Sequence, residues 1–255
     1  MNLLFDLSLA SQYKSASQKA RVMSEAWIES NMYCPCCGND FLTHYENNRP
    51  VADFYCNNCG ETFEVKSKEG NIGRKIADGA YQTAIERITG NSNPDLFVLR
   101  YSSDYQVTGL LLIPKYFFVP TVIEKRKPLA QSAHRAGWVG CNILYSDIPA
   151  QGKITIIDNG IVSIKEDVLY CYNRTKCLQT DVIHNREWLL DIIQCINNIK
   201  NEFFSLSDMY SFENTLYEKH PNNNNIKAKI RQQLQILRDK GYIRFLGNGY
   251  YQKII

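Results

Sequence analysis

The sequence predicts an α/β fold in two parts, a mixed strand-and-helix domain with a pair of inserted cysteine knuckles, then a C-terminal winged helix-turn-helix. Three observations predict it. Two Cys-x-x-Cys pairs, Cys34/Cys37 and Cys56/Cys59, stand 18 residues apart. Around and after them, short strand-like runs alternate with stretches of helical periodicity. The tail then follows the order helix, helix, helix, hairpin.

The elements follow in chain order. Ser17–Ser30 carries Ala20, Val22, Met23, Ala26 and Trp27 at a spacing near 3.6, which predicts a helix. Val51–Tyr55 and Thr62–Lys66 are rich in Val, Phe and Tyr and alternate, which predicts strands, with the turn residues Asn57-Asn58-Cys59-Gly60 between them. Ile76, Ala80, Ala84 and Ile88 are spaced by four, so Lys75–Ile88 is expected to be one helix. Strands are expected at Leu96–Tyr101, Leu110–Pro114 and Lys153–Ile157. Arg186–Ile199 is a strongly amphipathic helix, followed by helices at Ser207–Tyr217 and Ile226–Lys240. Strands Tyr242–Leu246 and Tyr250–Ile254 flank Gly247-Asn248-Gly249.

Composition narrows the class. The chain has 255 residues, 44% of them hydrophobic and 22% charged, enough to form a packed core and unlike a disordered, collagen-like or coiled-coil chain. Met1–Leu9 has no basic stretch ahead of an apolar run, so no signal peptide is expected. The most apolar stretch, Gly109–Ile123, is broken by Lys115 and two prolines and is too short to span a membrane. A reducing, cytoplasmic location is therefore expected, where clustered cysteines hold metal more often than they form disulfides.

Charge divides the chain near His184, giving expected domains of residues 1–184 and 185–255. The first has 19 Lys+Arg against 19 Asp+Glu; the second has 10 against 7, so the net +3 belongs entirely to the tail.

Five of the nine cysteines lie between positions 34 and 59. Two facing knuckles can direct four sulfurs to one point about 2.3 Å from each, the geometry of a structural Zn²⁺ site. Cys34, Cys37, Cys56 and Cys59 are the expected ligands. Cys36 makes the first knuckle Cys-Pro-Cys-Cys, so the choice of Cys34 and Cys37 rests on spacing. Gly38 and Gly60 each follow a knuckle's second cysteine, where a tight turn favours glycine. Four thiolates close the coordination sphere, so chemistry is expected elsewhere.

Asp53 precedes the second knuckle, and Glu64-Val65-Lys66 follows it. Side chains alternate along a strand, so Glu64 and Lys66 share a face, and a hairpin turned at Cys56–Cys59 brings Asp53 alongside. Asp53, Glu64 and the backbone carbonyl of Val65 form an oxygen set suited to Mg²⁺. A lysine beside such a cation can orient water or help to deprotonate it. Taken alone, Glu-x-Lys on a strand is equally the pattern of a solvated face.

The Pro50-to-Asp53 lead, the strand–turn–strand context and the following helical periodicity resemble the PD-(D/E)xK nuclease superfamily. With the interleaved zinc-binding knuckles and the winged helix, the chain is more specifically similar to the DpnI family of methyl-directed type II restriction endonucleases. Stretches Ser17–Arg21, Glu46–Cys56, Asp78–Tyr81, Arg126–Ala130 and Ile230–Lys240 carry the similarity through both expected domains. The lead here is Pro-Val-Ala-Asp rather than Pro-Asp. Cys36, a less basic wing and residues 158–183 depart from the family pattern.

The resemblance implies a PD-(D/E)xK core with inserted zinc-binding knuckles and a winged helix-turn-helix. It implies Mg²⁺-dependent hydrolysis of double-stranded DNA at 5′-GATC-3′ sites containing N6-methyladenine. Asp53 and Glu64 would bind the catalytic metal and Lys66 would position water, with Zn²⁺ structural. No nucleotide cofactor and no membrane partner are expected, and the chain is expected to be monomeric.

An N6-methyl group adds apolar surface in the major groove. Arg135-Ala-Gly-Trp138-Val-Gly140 places an aromatic among glycines, which suits a loop that approaches DNA, although a core tryptophan is the plain alternative. Arg126 and Lys127 are candidate phosphate contacts. In the tail, Ile226, Ile230, Leu234 and Leu237 form one face of a helix, and Lys227, Ala228, Arg231, Gln232, Gln235 and Arg238 form the other, preceded by Asn225. This suits a recognition helix: Arg pairs with guanine, Gln pairs with adenine, and small Ala228 leaves room for a methyl. Residues 224–240 hold five Lys/Arg against one Asp. Two other functions fit parts of the sequence: a zinc-ribbon, winged-helix transcription regulator without catalysis, and a structure-specific repair nuclease of the same superfamily.

Overall fold

The computed structural model describes residues 1–46, 52–180 and 182–254. Its contacts divide the chain into two units, Met1–Ile148 with Gly152–Lys176, and Pro149–Gln151 with Cys177–Ile255. The second unit thus takes in the segment before the expected boundary at His184, including the fully buried Leu178.

In the first unit, helix α1 (Ala16–Asn31) leads to the short strands β1 (Thr43–His44) and β2 (Phe54–Tyr55) and the long β3 (Thr62–Glu69). Then come β4 (Ile76–Ala80), α2 (Tyr81–Thr89), β5 (Asp95–Tyr101), β6 (Val107–Ile113), β7 (Ile123–Lys125), β8 (Gly140–Ile143), β9 (Ile154–Asp158), β10 (Ile161–Val162) and α3 (Lys165–Thr175). Among the described residues, the main sheet has seven strands in the order β1-β2-β3-β5-β6-β9-β10, parallel only between β3 and β5. A smaller sheet has the order β4-β8-β7.

Strand β5 explains the layering. Its run Asp-Leu-Phe-Val-Leu-Arg-Tyr is buried at every position but Arg100, the pattern of a central strand covered on both faces. Phe97 stacks on Phe63 of β3 with ring centroids 5.2 Å apart. Helix α1 packs on β3 through Met23, Trp27 and Ile28, and α3 packs on β9 through Val168 and Tyr172. Asp95, fully buried where β5 begins, accepts the Lys115 amide at 2.7 Å and the Tyr172 hydroxyl at 2.7 Å.

Two expectations are corrected. Lys75–Ile88 is not one helix: Ile76–Ala80 is a strand, paired antiparallel to β8, and only Tyr81–Thr89 is helical. The four-residue spacing of Ile76 and Ala80 is equally a two-residue strand repeat, and pairing with β8 decides between them. The expected helix Ser207–Tyr217 is two helices. The Ser211 hydroxyl bonds back to the Asp208 carbonyl at 2.6 Å, and the chain breaks at Phe212. Pro50 of the expected lead and Val51 of the expected Val51–Tyr55 strand lie outside the described residues. Strands β7 and β8 and helix α3, in segments of weak periodicity, were not anticipated.

The second unit consists of α4 (Ile183–Asn198), β11 (Phe203–Ser205), α5 (Leu206–Tyr210), α6 (Glu213–Lys219), α7 (Ile226–Asp239), β12 (Ile243–Gly247) and β13 (Tyr250–Lys253). A Ser205/Asp208 capping box starts α5. Helix α7 packs against α4, α5 and α6, burying Ile226, Ile230, Gln233, Leu234 and Leu237. The unanticipated β11 pairs with β13, giving a three-stranded wing β11-β13-β12. Gly247, Asn248 and Gly249 all have positive φ, which closes the hairpin. No helix among the described residues is long and apolar enough to cross a membrane.

Candidate active site

The cysteine knuckles are near copies of one another. The Cys34 amide bonds the Asn39 carbonyl at 2.7 Å, and the Gly38 amide bonds the Cys34 carbonyl at 2.8 Å. In the second knuckle, the Cys56 amide bonds the Glu61 carbonyl at 2.9 Å, and the Gly60 amide bonds the Cys56 carbonyl at 2.9 Å. Each turn closes at a glycine with φ of +80° or +74°, a conformation costly for any side chain. The Sγ atoms of Cys34, Cys37, Cys56 and Cys59 all lie within 4.8 Å of one another, with Cys34–Cys59 and Cys37–Cys56 each at 3.6 Å. A tetrahedron of sulfurs about 2.3 Å from zinc has edges of about 3.8 Å, so the cluster could hold that ion. Cys36 is not one of the four, but its buried thiol lies beside the cluster, in contact with Cys59 and Lys176. Burial pushes the Cys34 thiol up, a penalty that metal ligation removes by taking the proton's place.

The second knuckle turns β2 into β3, and Phe54 pairs with Phe63 and Tyr55 with Thr62. Ladder pairing ends there, but the contact continues. The Asp53 amide bonds the Phe63 carbonyl at 2.8 Å, and Asp53 Oδ2 accepts the Val65 amide at 2.7 Å. The carboxylate therefore takes the place of a strand partner. A strand residue's N–H and C=O point to the same side, so the Val65 carbonyl also faces the side β2 has left open.

Alternation puts Glu64 and Lys66 on one face of β3, as the sequence predicts. The Lys66 ammonium lies 2.6 Å from Glu64 Oε1. It also lies 2.8 Å from Asp78 Oδ1, on β4. Asp53, Glu64, Val65 and Lys66 line one cleft of about 430 Å³, whose other wall is α1. Burial pushes the carboxyls of Asp53 and Glu64 up, opposed at Asp53 by the Val65 amide and at Glu64 by Lys66. Burial also acts to raise Asp78, but Lys66, the Gly79 amide and Arg87 together hold that carboxyl below its ordinary value. Two carboxylates and a carbonyl turned to one cleft form a hard-oxygen donor set that fits Mg²⁺.

Sequence reasoning gave no role to Asp78, nor to the α1 wall. There Arg21 Nε donates to Glu25 Oε1 at 2.6 Å, and Glu25 Oε2 lies 3.3 Å from His44 Nε2. The i, i+4 spacing of Arg21 and Glu25 was the available signal. Asp78 stands in a stretch that carries the family similarity, but nothing in its spacing linked it to Lys66, because only the pairing of β4 brings the two together.

Trp138 lies in the loop between β7 and β8. It is half-buried rather than a core residue. The Arg135 guanidinium sits 4.7 Å from the centre of its ring. Its far edge rests on Gly140, where a Cβ would meet the ring at 2.7 Å. The loop is closed by the Leu129 amide on the Trp138 carbonyl at 2.9 Å and the Arg126 amide on the Gly140 carbonyl at 2.9 Å. Arg126, Lys127 and Arg135 are exposed. In the second unit, Asn225, Lys227, Ala228, Arg231, Gln232, Gln235 and Arg238 are all exposed. Tyr210 of α5 lies beside α7: its hydroxyl accepts Arg231 Nη1 at 2.6 Å, and Lys227 Nζ lies 5.5 Å from its ring centre.

Two family models match the chain. The one described as the Dam-replacing family covers residues 1–181. The one described as the Dam-replacing HTH domain covers residues 184–253.

Proposed function

Because the chain belongs to the DpnI, or Dam-replacing, family, we propose that it is a methylation-dependent type II restriction endonuclease that cuts double-stranded DNA at 5′-GATC-3′ sites containing N6-methyladenine. The observation that carries this is the convergence of Asp53, Glu64 and Lys66 on one cleft, at a hairpin anchored by the four-cysteine cluster.

In this reading, Asp53, Glu64 and the Val65 carbonyl hold Mg²⁺. When bound, Mg²⁺ supplies Lewis-acid stabilisation of the charge that develops on the phosphate. Lys66, whose ammonium has three N–H donors, orients the attacking water. Partial burial of Glu64 and Lys66 makes their electrostatic effect larger than in open solvent. The cysteine cluster is a structural Zn²⁺ clamp on the hairpin.

Recognition is divided between the units. Trp138, braced by Arg135 and Gly140, offers an aromatic surface to the methyl group, while Arg126, Lys127 and Arg135 meet phosphates. In α7, Asn225, Lys227, Ala228, Arg231, Gln232, Gln235 and Arg238 face the major groove, with the buried stripe of Ile230 and Leu234 behind them. A regulator without catalysis has no use for two carboxylates and a lysine in one cleft, which favours the nuclease reading.

Matched plasmids grown with and without adenine methylation, digested with and without Mg²⁺, test the proposal. Cleavage of only the methylated plasmid, and only with Mg²⁺, is expected. Equal cleavage of both plasmids refutes methyl dependence, and no cleavage of either refutes the nuclease.

A further inference from the structure

We propose that Asp78 is a positioning residue that holds Lys66 for the chemical step. This deepens the nuclease reading and rests on it. Lys66 stands between two carboxylates, Glu64 at 2.6 Å and Asp78 at 2.8 Å, and the two are placed differently. Glu64 lines the large cleft together with Asp53; Asp78 does not. Asp78 instead lines a small neighbouring cavity with Arg87, Ile88 and Leu96, which Glu64 also borders. Glu64 thus borders both spaces, while Asp78 reaches the lysine without lining the large cleft.

That difference has a chemical consequence. A Glu64 carboxylate that binds a divalent cation shares its charge between the cation and the ammonium, so it holds Lys66 less firmly. Lysine is a compact charge on a flexible four-carbon stem, and without a second fixed partner it loses its direction. Asp78 is that partner. Its own position is set by backbone pairing: Asp78 stands opposite Cys141 in the β4–β8 ladder, immediately before a shift of register between Asp78 and Ala80. The Cys141 thiol packs against the other oxygen, 3.8 Å from Asp78 Oδ2. The carboxylate thus gives the Lys66 ammonium a fixed partner, leaving its remaining N–H donors for water. β8 begins at Gly140, against which the Trp138 ring rests, so the strand that sets Asp78 also carries the methyl-contact loop of the proposed function.

The test is a mutant cycle on the full chain with methylated GATC duplex, using Asp78→Asn, Lys66→Gln and the double variant. Single-turnover cleavage is followed with Mg²⁺, and duplex binding is followed by fluorescence anisotropy with Ca²⁺. Asp78→Asn is expected to slow cleavage by about 10- to 100-fold, the scale set by misplacing a catalytic group by about 1 Å. Its duplex affinity in Ca²⁺ stays within about twofold of wild type, and adding it to Lys66→Gln slows cleavage by less than about twofold, because coupled residues are not additive. A full further loss in the Lys66→Gln background overturns the proposal, as does an unslowed Asp78→Asn. Weakened Ca²⁺-dependent binding also overturns it, by making Asp78 a metal ligand. Asp78→Ser serves if melting shows that Asp78→Asn is unfolded. An inactive wild-type protein removes the nuclease reading, and this inference with it; an active wild type with additive variants removes this inference alone.

Discussion

The Asp53 carboxylate accepts the backbone amide of Val65 at 2.7 Å, so the first acidic residue of the cleft is fastened to the strand that carries the other two candidates. One oxygen is held by the Val65 amide, while in the proposed function the carboxylate also binds the cation. These two roles separate by substitution. Asp53→Asn keeps an acceptor for Val65 and should melt close to wild type. Asp53→Ala loses that bond and should cost about 1 kcal/mol of stability. Both should lose cleavage while retaining duplex binding, as read by melting, single-turnover digestion and anisotropy.

The cysteine cluster predicts a metal stoichiometry. Purified protein should contain one zinc per chain by elemental analysis. Cys56→Ser, in a fully buried ligand position, should lose the zinc and lower the melting temperature. Cys36→Ser should keep it, since Cys36 lies outside the four-sulfur cluster.

Asp95 makes stability depend on pH. Burial, opposed by the Tyr172 hydroxyl and the Lys115 amide, pushes its carboxyl up to about 7 from an ordinary 3.8. The folded state therefore binds the proton more tightly than the unfolded state. Its contribution is fully present below about pH 4 and is lost as pH rises through about 7, at no more than about 1.4 kcal/mol per pH unit. Asp95→Asn is permanently neutral and keeps an oxygen for the Lys115 amide. Its melting temperature relative to wild type should rise between pH 4 and 7 and level off above, when followed by calorimetry.

In the winged-helix unit, Lys227 and Arg231 should separate affinity from selectivity. Lys227→Ala should weaken all duplexes similarly and reduce the salt slope of binding by about 1. Arg231→Ala should cost about 1–3 kcal/mol on the GATC duplex and narrow the gap to a scrambled duplex. Tyr210→Phe, which removes the hydroxyl that holds Arg231, should reproduce part of the latter loss.

Much of the site was legible in the sequence because its chemistry is local. The two knuckles, the turn between them, and the alternation of Glu64 and Lys66 depend on residues adjacent or two apart, and periodicity encodes such relations directly. The buried stripe of α7 is of the same kind: Ile226, Ile230, Leu234 and Leu237 share a face by spacing alone, and all four are buried. Where two periods coincide, sequence gives no decision. Ile76 and Ala80 satisfy a helix and a strand equally well, and pairing with β8 settled it as a strand.

By itself, then, the sequence determined the knuckles, the hairpin bearing Asp53, Glu64 and Lys66, and the exposed and buried faces of α7. Only the tertiary structure decided that Asp78 reaches Lys66, that His44 joins Arg21 and Glu25 at the cleft, and that Trp138 lies outside the core. The physical reason is range. Contacts within a turn or a hairpin are written in residue spacing, whereas the placement of β4 and α1 depends on which strands pair and which faces bury, a choice made by the whole core.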